Sequence, residues 1–337
     1  TDMRGDRYGT GFPARKVHMV PSATLAARTP IAATRTLFQI ARGLKAAHRL
    51  LGVVKPAVVV GFGGYPTFPP LLAASLRRIP TLLHEQNAVL GRANKMLVGR
   101  VSAIATSFER TRFIEGVMAA KARFTGNPVR GVVLEAAGRP YLVSAGSGPL
   151  KLLVFGGSQG ARYFSDAVPS AVALVPDAIK ARLEVVQQCR EEDLARVEAA
   201  YRAAGIRAEV APFFKDLPER MAQSHLVIGR AGASTVAELT VIGRPAILVP
   251  LPHALDNDQL QNATRISDSG GGWCIEQKDL TPERLAAEIT ALAEHPARLM
   301  DAARAAKAEG RPDAVARLAD LVMELASGRA TGGAQAE

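Results

Sequence analysis

Acidic residues are absent from one long stretch of this 337-residue chain, because neither Asp nor Glu occurs between Arg7 and His84. The stretch holds as many basic residues as the chain's whole net charge of +11, so the remainder is balanced. The basic residues are Arg7, Arg15, Lys16, Arg28, Arg35, Arg42, Lys45, Arg49, Lys55, Arg77 and Arg78. The positive charge is therefore predicted to serve one part of the protein, such as a surface that meets an anionic partner.

Aromatic residues are scarce, at 5% with a single tryptophan, Trp273. Proteins that bind single-stranded nucleic acid use stacking aromatics, and none of their sequence motifs occurs here, so we expect no nucleic-acid partner. Two cysteines, Cys189 and Cys274, are too few for a disulfide framework, and we interpret both as buried free thiols of a reducing compartment. Neither the cysteines nor the six histidines show metal-ligand spacing, so no metal or cofactor is expected.

Long apolar runs are also missing: no stretch reaches the roughly 18 uncharged apolar residues of a membrane-spanning helix. One helix is predicted from Pro30 to Leu51, with arginines every seven residues. Its opposite side, predicted to face the core, carries Leu37, Ile40, Leu44, Ala47 and Leu51.

A basic helix face with apolar edges suits an anionic membrane surface. The alternative is a solvated face whose arginines pair with carboxylates elsewhere. The predicted membrane-contact residues are Arg28, Ile31, Arg35, Phe38, Arg42 and Lys45.

Short β-branched runs alternate with longer helical segments along most of the chain. This alternation predicts an α/β fold with doubly wound parallel sheets. The predicted strands lie within 56–64, 79–87, 101–108, 150–157, 183–189, 208–214, 225–232, 245–252 and 271–276.

A segment rich in Gly, Pro and Ser interrupts this pattern at 125–149. We therefore predict an N-terminal domain over 1–130, a hinge over 131–149 and a second domain over 150–314. The small, polar residues 328–337 are expected to be a disordered tail.

Glycine-rich turns follow several predicted strands, and ligands of open α/β sheets bind at such strand ends. Gly156, Gly157, Ser158 and Gly160 lead into a helix, whose first amides and dipole favour a phosphate or diphosphate. A tight turn that needs glycine for steric reasons would give the same sequence.

A second such turn contains Gly232 and Ala233, followed by Ser234 or Thr235 as helix cap. Glu238, one turn further, could accept two hydrogen bonds from a ribose. The alternative for Glu238 is a carboxylate near a helix start. Together the two turns favour a nucleotide.

The loops after three other predicted strands are further candidate binding sites. Gln259, in "DNDQ", could bind sugar hydroxyls. Gly63, Gly64 and Tyr65 form a further glycine turn, and "HEQN" places four hydrogen-bonding side chains, His84, Glu85, Gln86 and Asn87, at one strand end. His84 could equally be a structural histidine.

With these motifs, the sequence resembles the bacterial peptidoglycan N-acetylglucosaminyltransferases, which convert lipid I to lipid II. The matching stretches are "DMRG", "VVVGFGGYPTFP", "LHEQNAVLGRANK", "TGNPVR", "FGGSQGAR", "RAGASTVAEL", "GRPAILVPLPHALDNDQLQNA" and "RPDAVARLADLV". The resemblance implies two Rossmann-like domains facing a cleft (the GT-B architecture), a metal-independent inverting transfer, and a helix over 315–327 that packs back on the N-terminal domain.

The resemblance also implies partners and site residues. UDP-GlcNAc would contact Asn87, Arg130, Ser158, Phe214, Ala233, Ser234, Thr235, Glu238 and Gln259, with Phe214 presenting its backbone to the uracil. The acceptor would be lipid I, and the protein would be peripheral, on the cytoplasmic face of the inner membrane, where other cell-wall synthesis proteins are possible partners. Asp258 stands where some members have a second glutamine, so that role is not carried over.

Family members begin with a strand and a glycine-rich loop that carries a histidine, and this chain is expected to lack that segment. In family members that segment contributes to the acceptor diphosphate site and carries a candidate general base. In this chain the candidate bases are therefore Glu85 and His84. The rival functions are a UDP-GlcNAc 2-epimerase, a non-catalytic nucleotide-sugar binder and a glycolipid-forming transferase.

Overall fold

The computed structural model describes residues 14–23, 30–143, 148–252 and 254–328, and at 30–33, 157–161 and 255 it describes the main chain alone. The chain forms two compact units. The first comprises Thr1–Gly126 and Ala314–Glu337, and the second comprises Asn127–Asp313. The segment predicted to be a hinge therefore belongs to the second unit by its contacts, and its role as a hinge stays a prediction. Of the predicted tail, residues 329–337 lie outside the described ranges.

The described strands form two parallel sheets. The first unit has the order β1-β2-β3-β4 and the second the order β10-β9-β8-β5-β6-β7. The strands are β1 (Val59–Gly61), β2 (Thr81–Glu85), β3 (Ala103–Thr106), β4 (Ala122–Phe124), β5 (Leu150–Phe155), β6 (Leu183–Gln188), β7 (Arg207–Ala211), β8 (Leu226–Gly229), β9 (Ala246–Leu248) and β10 (Gly272–Cys274).

Helices connect the strands. They are α1 (Pro30–Val54), α2 (Phe68–Leu76), α3 (Arg92–Leu97), α4 (Val117–Ala120), α5 (Gly131–Ala136), α6 (Gly157–Leu174), α7 (Asp177–Lys180), α8 (Leu194–Ala203), α9 (Leu217–Gln223), α10 (Ala233–Ile242), α11 (Asp258–Asp268), α12 (Pro282–Glu294), α13 (Pro296–Glu309) and α14 (Ala314–Ala326).

The predicted fold class is confirmed, since both sheets are parallel and covered by helices. All nine predicted strands occur, and each is shorter than its predicted run. The missed strand, β4, has the sequence Ala-Arg-Phe and lies at the edge of its sheet, so no apolar run marks it.

Apolar side chains fill the space between each sheet and its helices. In the first unit, Leu318, Leu321 and Leu325 form one stripe of α14 and pack on Leu82 of β2 and Ala105 of β3. The helix at 314–326 thus belongs to the first unit. In the second unit one large core joins the sheet to α6, α8 and α12.

Helix α1 is three residues longer than predicted. Fewer of its residues than predicted pack against the core. Ala47 and Leu51 are buried beside α2, but Leu37 is 67% exposed, so the prediction that Leu37 faces the core was wrong. The reason is that the core contacts of α1 lie in its C-terminal half. Leu37 instead lies in the chain beside Phe38, which is 63% exposed.

The two cysteines are free, and Cys189 is buried as predicted, whereas Cys274 is only half-buried. Burial raises the pKa of the Cys189 thiol to about 11, so this thiol is unreactive at neutral pH.

Candidate functional site

The second sheet contains a switch point, because the chain runs outward from β5 to β6 and β7 and then returns to β8 on the other side of β5. Ligands of open α/β sheets bind outside the carboxyl ends of strands at such a point. Helix α6 begins at the end of β5 and helix α10 begins shortly after β8. The two helix N-termini therefore lie at the same edge of the sheet, where a ligand is expected.

Helix α6 starts at Gly157, directly after Gly156, so the glycine turn predicted from the sequence is the first turn of the helix itself. Its main chain carries Gly157, Ser158 and Gly160, whose amide groups have no partners within the helix at this end. The Ser158 side chain lies outside the described part. This turn offers main-chain donors to an anion.

Helix α10 starts at Ala233 with Gly232 as its N-cap, and no side chain caps it. The prediction that Ser234 or Thr235 caps this helix was therefore wrong, since both residues lie inside the first turn. The first amide groups of α10 are consequently not satisfied by a capping side chain.

Glu238 of α10 meets the segment that precedes α5. The Arg130 guanidinium lies 3.1 Å from Glu238 Oε1, although the two residues are 108 positions apart. Asn127 Nδ2 donates to Ala233 O at 3.4 Å, which holds the same segment against the start of the helix. Arg130 is mostly exposed, whereas the Glu238 side chain is 13% exposed. The pair leaves Glu238 Oε2 as a second acceptor beside the helix N-terminus.

Arg230, between β8 and α10, connects the turns of this site and was missed in the sequence. Its Nη1 donates to the carbonyl oxygens of Val249 and Pro250, both at 3.1 Å, and its Nη2 donates to Gln277 Oε1 at 2.6 Å. The guanidinium also lies 5.0 Å from the Phe164 ring of α6. Burial lowers the pKa of Arg230. The sequence did contain a signal for this role, because Arg230 is a charged residue inside the apolar run "LVIGRAGA".

The turn before α11 presents Gln259. Its Oε1 accepts a hydrogen bond from Leu251 N at 3.0 Å, which orients the side chain and directs its amide NH2 as the donor for a ligand. Asp256 and Asn257, at φ 67° and 51°, shape the turn in the left-handed conformation that Asp and Asn tolerate. Burial raises the pKa of Asp258.

Phe214 lies in the turn after β7 and is buried. Its ring is covered by Arg220, whose Cζ is 4.3 Å from the ring centroid. Because the side chain is occupied in this way, its main chain is the part that a ligand could reach.

In the first unit, Glu85 organises the turn between β2 and α3. The carboxylate is 1% exposed. Oε1 accepts from Asn87 N at 3.0 Å, and Oε2 accepts from Gly91 N at 2.9 Å and Asn94 Nδ2 at 2.6 Å. Both oxygens are therefore engaged by the turn, and proton transfer by Glu85 stays a prediction that its surroundings do not favour.

His84 is fully buried, and both of its ring nitrogens have partners. Nδ1 accepts from Gln86 Nε2 at 2.9 Å, and Nε2 donates to Gly126 O at 3.0 Å. This pattern corresponds to the neutral ring with its proton on Nε2. His84 thus links β2 to Gly126, the last residue of the N-terminal segment of the first unit.

Burial lowers the pKa of His84 below its ordinary value of 6.5, so the unfolded chain binds this proton more readily than the folded one. We expect the first unit to lose stability as pH falls below 6.5, with a slope of up to ~1.4 kcal/mol per pH unit from this residue. Urea unfolding between pH 5 and 8 measures the slope. His84→Gln should reduce this slope by up to ~1.4 kcal/mol per pH unit, the contribution of one proton. Burial also lowers the pKa of His225, but this residue is present in both proteins, so its contribution cancels in the comparison. An equal slope in the variant would contradict this assignment.

The turn after β1 contains Gly63 and Gly64, at φ 76° and 71°, followed by the half-buried Tyr65. A Cβ at Gly63 would lie 3.2 Å from Asn94 Nδ2, so the positive φ favours glycine there and a side chain would also crowd Asn94. Thr67 Oγ1 donates to Gly63 O at 2.6 Å. Asn94, which donates to Glu85, thus lies beside this turn.

Two family models match the chain over most of its length. The glycosyltransferase family 28 N-terminal domain matches residues 16–106, and the family 28 C-terminal domain matches residues 151–318. The fold, the paired helix N-termini and these matches define the chain as a glycosyltransferase of the GT-B class.

Curated relatives are similar over nearly the whole chain. A protein of Mesorhizobium japonicum is 54% identical over 97% of this chain and 87% of its own length, and one of Methylobacterium nodulans is 56% identical over 97% and 88%. Both are UDP-N-acetylglucosamine–N-acetylmuramyl-(pentapeptide) pyrophosphoryl-undecaprenol N-acetylglucosamine transferases. The chain belongs to glycosyltransferase family 28 and, within it, to the family of these transferases.

A solved structure supports the same family. The crystal structure of Acinetobacter baumannii MurG matches with a TM-score of 0.78 at 28% identity, covering 96% of this chain and 88% of that protein. The UDP-GlcNAc 2-epimerase of Neisseria meningitidis has a TM-score of 0.57 at 12% identity, covering 86% of this chain and 82% of that protein, which is a likeness of fold alone.

Proposed function

We propose that this chain transfers N-acetylglucosamine from UDP-GlcNAc to the C4 hydroxyl of the muramyl residue of lipid I, forming lipid II. The arrangement of Glu238 and Arg130 beside the N-terminus of α10 carries the donor half of this proposal. The similarity over nearly the full length to the curated transferases supports the acceptor half.

The second unit would bind the donor through its main chain and two side chains. The first amides of α6 and α10 would hold the diphosphate, Glu238 the ribose hydroxyls and Gln259 the sugar hydroxyls. Phe214 would present its main chain to the uracil. Arg230 connects the turns of this site through its hydrogen bonds and its contact with α6. It would also place a buried positive charge near the diphosphate.

The reaction would be one inverting displacement. The acceptor oxygen forms a bond to the anomeric carbon from the face opposite UDP, the bond to the diphosphate oxygen breaks, and the α-linkage becomes β. The proton of the attacking hydroxyl passes to a base, and UDP leaves with the electron pair. The helix N-termini would stabilise the charge that develops on the departing diphosphate.

In the first unit, Gly63, Gly64 and Tyr65 are proposed to form the acceptor turn, and Asn87 to complete the donor site. Glu85 and His84 remain the candidate bases from the sequence. Because both are already saturated with hydrogen bonds, their geometry favours the support of these turns over acceptance of the proton.

A direct experiment compares two incubations of the purified enzyme. With UDP-GlcNAc and lipid I, lipid II and UDP should appear in equal amounts. With UDP-GlcNAc alone, no UDP-ManNAc should form. Epimer without lipid I would instead support the 2-epimerase function, for which the structural likeness is to the fold only.

We further propose that α1 holds the enzyme on an anionic membrane surface, at the cytoplasmic face of the inner membrane. Leu37 and Phe38 are exposed, and so are Arg35, Arg42 and Lys45. The Arg42 guanidinium lies 5.9 Å from the Phe38 ring, so charge and apolar surface are adjacent. Arg28 and the Ile31 side chain lie outside the described part. Among the described residues, no helix has the length and apolar character needed to cross a bilayer.

We predict that Phe38→Glu weakens binding to vesicles containing phosphatidylglycerol roughly ten-fold or more, because it removes an inserted apolar group and adds a repelled charge. Co-sedimentation with vesicles measures the affinity. The matched control is Leu174→Glu, which places the same charge at an exposed leucine of the second unit. Equal losses in both variants would show that net charge, and not α1, determines binding.

A further inference from the structure

Phe113 has a backbone conformation that phenylalanine rarely adopts. Its φ is 70°, in the left-handed region. It stands third in the turn from Thr111 to Ile114, which closes with Ile114 N donating to Thr111 O at 3.2 Å. Glycine or asparagine is usual at such a position, because a Cβ there crowds the main chain. Since the Phe113 side chain is 43% exposed, the free energy gained by burying it offsets little of the cost of this backbone conformation.

The turn is fastened to the segment that Glu85 organises. Arg112 N donates to Ala88 O at 2.8 Å, and Leu90 N donates to Arg112 O at 3.1 Å. Gly91, the next residue, donates to Glu85 Oε2. Phe113 is therefore presented at the carboxyl-end edge of the first sheet, by the same hydrogen-bonded framework that supports the acceptor turn.

Two cations share the Phe113 ring. Lys95 Nζ lies 4.1 Å from the ring centroid and Arg112 Cζ lies 5.0 Å from it. The faces of an aromatic ring attract cations, so both side chains are held at one exposed ring. All three side chains are exposed. Among the residues that the structure describes, no carboxylate forms an ion pair with Arg112.

We propose that Lys95, Arg112 and Phe113 form a binding site for an anionic group of the acceptor, a carboxylate of its peptide or its diphosphate. The inference rests on the proposed function, because it assigns the ligand from that reaction. An anion that binds beside this ring would be attracted by both cations, and their attractions add. The strained residue is kept because the ring positions the cations, and strain of this kind is found at functional sites.

The test replaces the ring and one cation separately. Phe113→Gly should keep or raise the Tm, because glycine relieves the backbone, while raising the KM for lipid I roughly ten-fold. Arg112→Gln should raise the same KM to a similar extent. Phe113→Tyr, which keeps the ring, should restore the wild-type value. The KM for UDP-GlcNAc should stay unchanged in all three.

The matched control is Arg110→Gln, which removes the same charge from the same loop and should leave the KM for lipid I unchanged. Lipid I whose peptide carboxylates are converted to amides distinguishes the two anions. If the variants lose their effect on this substrate, the anion is a carboxylate, and if the effect persists, it is the diphosphate. Wild-type KM for lipid I in both Phe113→Gly and Arg112→Gln overturns the inference. The proposed function would survive that result, since lipid II would still form.

Discussion

Glu238→Ala is expected to weaken UDP-GlcNAc binding by about two orders of magnitude, with little change in the enzyme's stability. A hydrogen bond to a charged group contributes about 1.5–3 kcal/mol, and a carboxylate can accept one from each hydroxyl of a ribose. The Glu238 side chain is 13% exposed and is held by Arg130, so it is already oriented when the ligand arrives. Isothermal titration calorimetry with UDP measures the loss without requiring turnover.

A double-mutant cycle assigns this loss to the ribose. The ligand pair is UDP and 2′,3′-dideoxy-UDP, and the protein pair is wild type and Glu238→Ala. The wild-type enzyme should lose about 100-fold in affinity when the hydroxyls are removed, whereas the variant should lose almost nothing. The same dideoxy penalty in both proteins would mean that Glu238 serves only as a partner of Arg130. Arg130→Ala gives the complementary control, since it frees the carboxylate but leaves it in place.

Glu85→Ala is expected to destabilise the first unit by about 2–4 kcal/mol and to abolish turnover. The substitution leaves four donors, Asn87 N and Nδ2, Gly91 N and Asn94 Nδ2, without their acceptor. A buried donor without a partner costs about 1–3 kcal/mol, and donors that water reaches cost less. The corresponding fall in Tm is about 10 °C for a unit of this size. Glu85→Gln should be nearly as severe, because its NH2 group would face N–H donors.

Stability is the measurement that separates the two roles of Glu85. A residue that only accepted the proton would lose turnover on substitution with its Tm and both KM values unchanged, and that result would contradict the organising role. A residue that organises the turn loses Tm together with acceptor binding. Glu109→Ala is the matched control, since it removes an exposed carboxylate of the same unit, and its effect should stay within about 0.5 kcal/mol.

The sequence predicted the strands and helix starts around the candidate site, because these depend on local pattern. The apolar runs before Gly156 and Gly232 predicted strands that end at helix starts, because a strand buried on both faces reads as a continuous apolar run. The details of each helix start were less accessible. Ser234 and Thr235 suggested a cap in the sequence, yet Gly232 is the N-cap, since a difference of two or three residues depends on how the chain leaves β8.

Local sequence by itself thus determined the two parallel sheets, the glycine-rich strand ends and the basic helix α1, because the spacing of apolar, glycine and charged residues is a property of neighbours in the chain. The tertiary structure alone decided that Arg130 meets Glu238, that Leu37 is exposed, and that Glu85 and His84 are already saturated. These facts depend on which distant groups fold against each other. Hydrogen-bond partners and burial follow from those long-range contacts, and no short stretch of sequence contains them.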